Sequence, residues 1–255
     1  MAFDRRRFLA GLLACPLCAA AARADSEAHW SYDCPDGPSS WGSLDQSYRA
    51  CTVGAQQSPI DLVGERLSTS IGVLTENWPA EAYTIENNGH TIQAAAQTGS
   101  LVLDGRTFAL QQFHFHTPSE HTLMGHHHDL EAHFVHQNAE AGLAVVGVFL
   151  QACEPNRPCE PNKAFATIMA NAPQQPHRSR KLERPLDVMS LLPESRTRYR
   201  YEGSLTIPPC FETVDWNIYE NPVWVAKDDF NAFKNLYSHN ARPPQSLNRR
   251  FLLKG

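Results

Sequence analysis

The chain has 255 residues, 42% hydrophobic and 19% charged, with a formal net charge of −5 when its histidines are neutral. That balance suits one globular domain with a substantial core and excludes a disordered or fibrous polymer. The acidic excess, with no Lys/Arg-rich stripe interleaved with aromatics, excludes a nucleic-acid surface, because an anionic protein repels phosphate backbones.

In chain order, the first 24 residues differ from the rest. Arg5, Arg6 and Arg7 lead into an apolar, alanine-rich run over 9–22, and Ala22-Arg23-Ala24 offers the small residues of a cleavage site. The run is 14 residues, short of the roughly 20 that span a bilayer as a helix. Residues 1–24 therefore read as a removable secretory signal, and 25–255 as the mature domain with no transmembrane segment. The paired arginines before Phe8-Leu9 resemble the twin-arginine class. A lipoprotein leader modified at Cys15 is disfavoured, because it leaves an apolar run of only about seven residues. The expected location is periplasmic or extracellular. Cleavage removes four arginines and one aspartate, which leaves 18 basic against 26 acidic residues, a net of −8.

Strand-like runs follow at 83–85, 91–94, 100–103, 107–110, 112–116, 130–137, 144–151, 198–202 and 214–219, punctuated by turn signals such as Asn87-Asn88-Gly89 and Asp104-Gly105. They predict a mainly β single domain with a mostly antiparallel sheet. Helices are predicted over 162–171 and 227–238; in the second, Phe230, Phe233 and Tyr237 form an apolar stripe that packs on the sheet.

The histidines gain meaning from their spacing. On a strand, Gln112, His114 and His116 share one face while Phe113 and Phe115 take the other. On a second strand, Glu131, His133 and Val135 share a face, and the connection between the strands is long enough for antiparallel pairing that brings His133 beside His114 and His116. Three imidazoles on two strands make a rigid tripod of the kind zinc prefers, with a fourth position left for water. Gln112 and Glu131 stand where they can accept the ligands' remaining ring N–H groups.

After cleavage the cysteines are Cys34, Cys51, Cys153, Cys159 and Cys210, an odd number that leaves one thiol over. An oxidising compartment favours bridges, and the most local is Cys153 with Cys159. None of the five has the Cys-x2-Cys spacing of a structural zinc site.

Gln112-Phe113-His114-Phe115-His116, Pro118-Ser119-Glu120-His121-Thr122, Glu131-Ala132-His133-Phe134-Val135-His136 and Gly203-Ser204-Leu205-Thr206-Ile207-Pro208-Pro209-Cys210 together resemble the alpha-class carbonic anhydrases. His29-Trp30-Ser31-Tyr32, Gln57-Ser58-Pro59-Ile60-Asp61, Asn87-Asn88-Gly89-His90 and Arg242-Pro243-Pro244-Gln245 extend the likeness through nearly all of the mature chain.

The resemblance implies a single domain around a large twisted sheet with a few short peripheral helices. It implies reversible hydration of carbon dioxide to bicarbonate and a proton, by attack of zinc-bound hydroxide, with one Zn2+ per chain on His114, His116 and His133. Gln112, Glu131 and the Asn240 carbonyl would orient those ligands. Thr206 and Glu120 would align the hydroxide, and Val135, Val145, Leu205 and Trp216 would form the apolar wall for carbon dioxide. His90 would carry the proton to solvent, and Cys51 would be bridged to Cys210, with Cys34 left free. Ile207 departs from the family's usual hydroxyl or imidazole and should weaken polar contact with bicarbonate. His126, His127 and His128 read as a solvated loop. A small-molecule substrate is the expected partner; monomer and homodimer both stay open. The rival readings are a non-catalytic zinc-binding or partner-binding module on the same fold, and a zinc-dependent esterase or zinc buffer leaning on the three consecutive histidines.

Overall fold

Runs in which apolar side chains recur at every second residue form the central strands of one 12-stranded sheet. The structure, a computed structural model, describes residues 29–63, 67–68, 71–155 and 159–255. The expected leader over 1–24, Cys15 included, lies outside the described residues, as do residues 156–158 of the cysteine loop.

The strands are β1 (Leu67–Ser68), β2 (Leu74–Asn77), β3 (Thr84–Asn87), β4 (Ile92–Ala95), β5 (Ser100–Leu103), β6 (Arg106–His116), β7 (Leu130–Gln137), β8 (Leu143–Ala152), β9 (Arg178–Lys181), β10 (Arg198–Gly203), β11 (Val214–Val225) and β12 (Leu253–Lys254). Their lateral order is β1-β12-β10-β11-β8-β7-β6-β4-β3-β9, and β2 joins through β5, which also borders β6. Every pairing is antiparallel except β1 with β12 and β8 with β11. Short helices α1 (Trp41–Leu44), α2 (Ala50–Val53), α3 (Lys163–Asn171) and α4 (Lys227–Leu236) lie around it. The mainly β, mostly antiparallel single domain is as expected.

Alternation on the central strands divides the interior in two. Phe113, Phe115, Leu130, Ala132 and Phe134 face a large core that also takes Phe165 and Ile168 of α3 and Phe230 and Phe233 of α4. Val135, Val145, Leu205 and Trp216 belong to a smaller core on the opposite face. Asn162 caps α3, its side-chain oxygen accepting the Phe165 N–H at 3.0 Å. Asp228 and Asp229 in the first turn of α4 and Lys234 in its last suit the helix dipole. This helix stops two residues before the expected 238, where the chain turns extended toward Asn240, whose N–H bonds Thr117 O at 3.0 Å.

Other boundaries differ from expectation as well: β1, β2 and β12 lie outside the predicted runs, and β11 continues to Val225 instead of ending at 219. The runs at 107–110 and 112–116 are one strand, β6, carrying an extra residue at Gln111: Leu110 faces His136 and Gln112 faces Val135 on β7. β9 was also unforeseen, because all four residues are exposed and none is apolar, so no alternation marks it. Its charges suit a sheet border that must not recruit another chain.

His136 points into the large core. Its Nε2 accepts the Trp78 indole N–H at 2.9 Å, and its Nδ1 lies 3.3 Å from the Ala144 carbonyl. Burial pushes its pKa down to about 3, against which hydrogen bonds to Ala144 and Phe134 pull only partly. A histidine held neutral in the fold stabilises fully above its unfolded value near 6.5, and that stability is lost as pH falls toward the folded value. His136 alone should therefore cost about 1.4 kcal/mol per pH unit between pH 6.5 and about 3. Urea unfolding over this range should show that slope reduced by about one proton in His136→Gln; equal slopes in both proteins would mean His136 is already charged in the native state.

The bridge between Cys51 and Cys210 is present, with S–S 2.07 Å across a sequence separation of 159, and Cys153 is bonded to Cys159. Cys34 is free and exposed. So long a loop restricts the unfolded chain strongly; removing the first bridge as Cys51→Ser/Cys210→Ser should cost about 2–5 kcal/mol. A fall in Tm of roughly 5–15 °C is expected by circular dichroism, and an unchanged Tm would deny the bridge any stabilising role.

Candidate metal centre

β6 and β7 pair so that His114 stands directly opposite His133, with His116 opposite Glu131. The ring centroids of His114, His116 and His133 are 4.9, 5.3 and 4.6 Å apart, and one nitrogen from each lies within 4.8 Å of the other two. The other nitrogens fix which lone pairs are free. His114 Nδ1 lies 2.8 Å from Gln112 Oε1, His116 Nδ1 2.7 Å from the Asn240 carbonyl, and His133 Nε2 2.9 Å from Glu131 Oε1. All three partners are acceptors, so those nitrogens carry the protons. Nε2 of His114 and His116 and Nδ1 of His133 are left with unshared pairs aimed at one point.

The electrostatics agree with neutral rings at His114 and His116. Burial holds His114 and His116 below the usual histidine range, reinforced by neighbouring imidazoles and opposed in part by Glu120 and Glu131. His116 Nε2 is buried with no hydrogen-bond partner. An orphaned buried nitrogen is costly unless something electron-poor takes it, so the donor set fits a nitrogen-preferring cation such as zinc.

His121, Glu131 and His133 also cluster. In that group, however, Glu131 Oε1 already receives His121 Nδ1 at 2.7 Å and His133 Nε2 at 2.9 Å, and Oε2 receives the His121 backbone N–H at 2.8 Å. Burial alone would raise the Glu131 pKa, but its interactions with His121 and His133, whose ring N–H groups it accepts, outweigh that and hold the carboxylate well below its usual range. The cluster continues from His121 Nε2 to the Tyr201 hydroxyl at 2.7 Å, which bonds Ser58 at 2.8 Å. Space for the carboxylate comes from Gly147, opposite His133 on β8: a Cβ there would sit 3.1 Å from Glu131 Oε1.

Asn240 acts as a clamp behind the centre. Beyond its bond to His116, its Oδ1 accepts Thr117 N–H at 2.7 Å, and its Nδ2 donates to Phe115 O and His90 O, both at 3.0 Å. Glu120 is fully buried; its Oε1 accepts the Arg242 N–H at 2.8 Å, while Oε2 has no partner and lies 3.6 Å from His116 Nε2 and 3.9 Å from His133 Nδ1. No hydrogen bond joins Thr206 to that oxygen, unlike the expected arrangement. Val135, Val145 and Trp216 are register neighbours across β7, β8 and β11, and the Trp216 ring is 4.9 Å from His133. Leu205, 8% exposed, completes the same apolar cluster.

His90 stands in the β3–β4 turn, its ring stacked on Trp30 at 4.0 Å and 10°. Burial pushes its pKa down to about 4, aided by His29 and His177. Of the consecutive histidines, His127 Nδ1 bonds Ser119 O at 2.6 Å and His128 Nδ1 lies 3.1 Å from Gln151 Oε1. None of the three joins a metal-capable group among the described residues. Ile207 is half-buried, its carbonyl accepting the Cys210 N–H at 2.9 Å. The roles of Tyr201, Ser58 and Trp30 were not foreseen, because polar contacts between distant segments leave no local pattern.

Residues 36–254 match the family model described as eukaryotic-type carbonic anhydrase. A carbonic anhydrase of Klebsiella pneumoniae is 38% identical over 230 residues, covering 89% of this chain and 91% of that one. The alpha-carbonic anhydrase of Thermovibrio ammonificans, solved with sulfanilamide, superimposes with a TM-score of 0.80 at 37% identity over 89% of this chain and 99% of its own. That of Photobacterium profundum gives 0.81 at 37% identity, covering 88% and 100%. The chain therefore belongs to the eukaryotic-type, or alpha, carbonic anhydrase family and is an enzyme of the carbonate dehydratase class.

Proposed function

We propose that this chain hydrates carbon dioxide reversibly at a single zinc ion held by His114 Nε2, His116 Nε2 and His133 Nδ1. The observation that carries the reading is the set of three outward acceptors, Gln112, Asn240 and Glu131, each holding one ring proton away from the common point. Zinc on neutral imidazoles is a Lewis acid that lowers the pKa of water to about 7, a value for which carbonic anhydrase is itself the standard example.

The chain's own residues do the rest. Glu131, ionised and fixed by His121, keeps His133 in the tautomer that offers Nδ1. Thr206, by the family likeness, orients the attacking oxygen and passes its own hydroxyl proton into a hydrogen bond with Glu120, whose unpartnered Oε2 is an acceptor in want of a donor. Val135, Val145, Leu205 and Trp216 give an apolar, water-poor surface for an apolar substrate. His90 takes the product proton toward solvent. Residues 1–24 are read as a leader lost on export and 25–255 as the mature enzyme, in keeping with two disulfides and with the lack, among the described residues, of a helix long and apolar enough to cross a membrane.

The deciding experiment is stopped-flow carbon dioxide hydration by residues 25–255, with zinc counted per chain, before and after chelation. One zinc and fast, chelator-sensitive hydration are expected. Several bound ions without hydration would favour a zinc buffer, and no zinc would favour a partner-binding module.

A further inference from the structure

Each hydration of carbon dioxide yields one bicarbonate and one proton, and that proton must reach a base in solution. His90 is the inner carrier in the reading above, yet it is held tightly: its N–H donates to Asn88 Oδ1 at 2.9 Å, Asn240 grips its carbonyl, and its ring lies flat on Trp30. Half-buried, with its pKa pushed down to about 4, it keeps a proton only briefly near neutral pH. A ring held in this way does not swing out to meet a buffer base, so the path needs a second, exposed base beside His90.

The residue standing there is His177, just before β9. It is exposed, its N–H donates to Asn87 O at 2.6 Å, and the next residue, Arg178, pairs with Asn87. Its backbone is left-handed, with φ 59°, and its ring packs against the turn at Gly89. A Cβ on Gly89 would lie 3.1 Å from His177 Cε1 and 3.4 Å from Nε2, so glycine admits the imidazole to within one residue of His90. The other groups around this turn are His29 beside Trp30, Arg178, Glu86 one register position inward on β3, and Tyr237, which bonds Asn87 and whose pKa burial pushes up to about 12. Only the imidazoles are of a side-chain type that exchanges protons near neutral pH. Of these, His177 is fixed beside the turn by a backbone bond and a strand.

We propose that His177 is the outer proton acceptor of this enzyme, taking the proton that leaves through His90 and giving it to a buffer base in solution. The inference rests on the carbon dioxide hydration reading. His177→Asn is the test variant, because asparagine adopts left-handed backbone readily. In weak buffer its kcat for hydration should fall about three- to tenfold with kcat/KM unchanged, and added imidazole should restore it. Independently of activity, NMR titration of the ring resonances should show the His90 midpoint rising in His177→Asn, since a cationic neighbour has been removed. An unchanged kcat, a parallel fall in kcat/KM, or an unmoved His90 midpoint would overturn the assignment. A wild-type protein that hydrates nothing would sink the functional reading along with it, even if the NMR coupling were present.

Discussion

His114→Ala is expected to lose zinc and carbon dioxide hydration together, the rate falling by on the order of a thousandfold or more. His114 supplies one of three free nitrogens that lie within 4.8 Å of one another, and two remaining donors neither fix geometry nor match the affinity of three. The comparison that gives the result meaning is Gln112→Ala. It leaves all three rings in place but frees His114 Nδ1 from its 2.8 Å partner, and should weaken metal binding by only about 10- to 100-fold. Metal content by mass spectrometry and stopped-flow hydration, read on the same samples, check both. One tightly held zinc with normal turnover in His114→Ala would remove that residue from the centre.

Thr206→Ala should separate binding from chemistry. The threonine makes none of the hydrogen bonds that secure the imidazoles, so one zinc per chain should remain, while hydration falls by about 10²-fold or more. The loss follows from Glu120: its Oε2 is fully enclosed, has no donor of its own, and lies 3.6 Å from His116 Nε2. With the hydroxyl gone, nothing on the chain links the reacting oxygen to that carboxylate, and its orientation is left to chance. Full zinc content with an unaltered rate would strike Thr206 from the mechanism; loss of zinc would recast it as part of the scaffold.

The centre was legible because its information is local. A two-residue period on 112–116 and 130–135 assigns faces before any tertiary contact is known, and the burial of Phe113, Phe115 and Phe134 against the opposite-facing imidazoles follows the same rule. The tripod could be proposed from the residues alone, whereas Thr206, Glu120, His90 and the Cys51 to Cys210 bridge needed the family likeness, since each joins segments far apart in sequence. What stayed hidden has a common cause. Arg178 to Lys181 carry no apolar residue, the parallel pairing of β8 with β11 unites strands separated by more than 60 residues, and the stacking of His90 on Trp30 depends on where the N-terminal segment happens to lie. His177 was invisible for the same reason, being brought to His90 only by the β3–β9 pairing.

The extra residue at Gln111 has a consequence for how one strand serves two masters. Upstream of it the even-numbered Phe108 and Leu110 point into the large core; downstream, that task passes to the odd-numbered Phe113 and Phe115, and even numbers go to Gln112, His114 and His116. The parity of the chain is inverted once, in mid-strand. Remove that single position and the two halves fall out of phase: either the imidazoles turn inward to the oily side, or Phe108 and Leu110 are driven out of it. The reactive surface and the packing that steadies it are thus locked to a common count of residues.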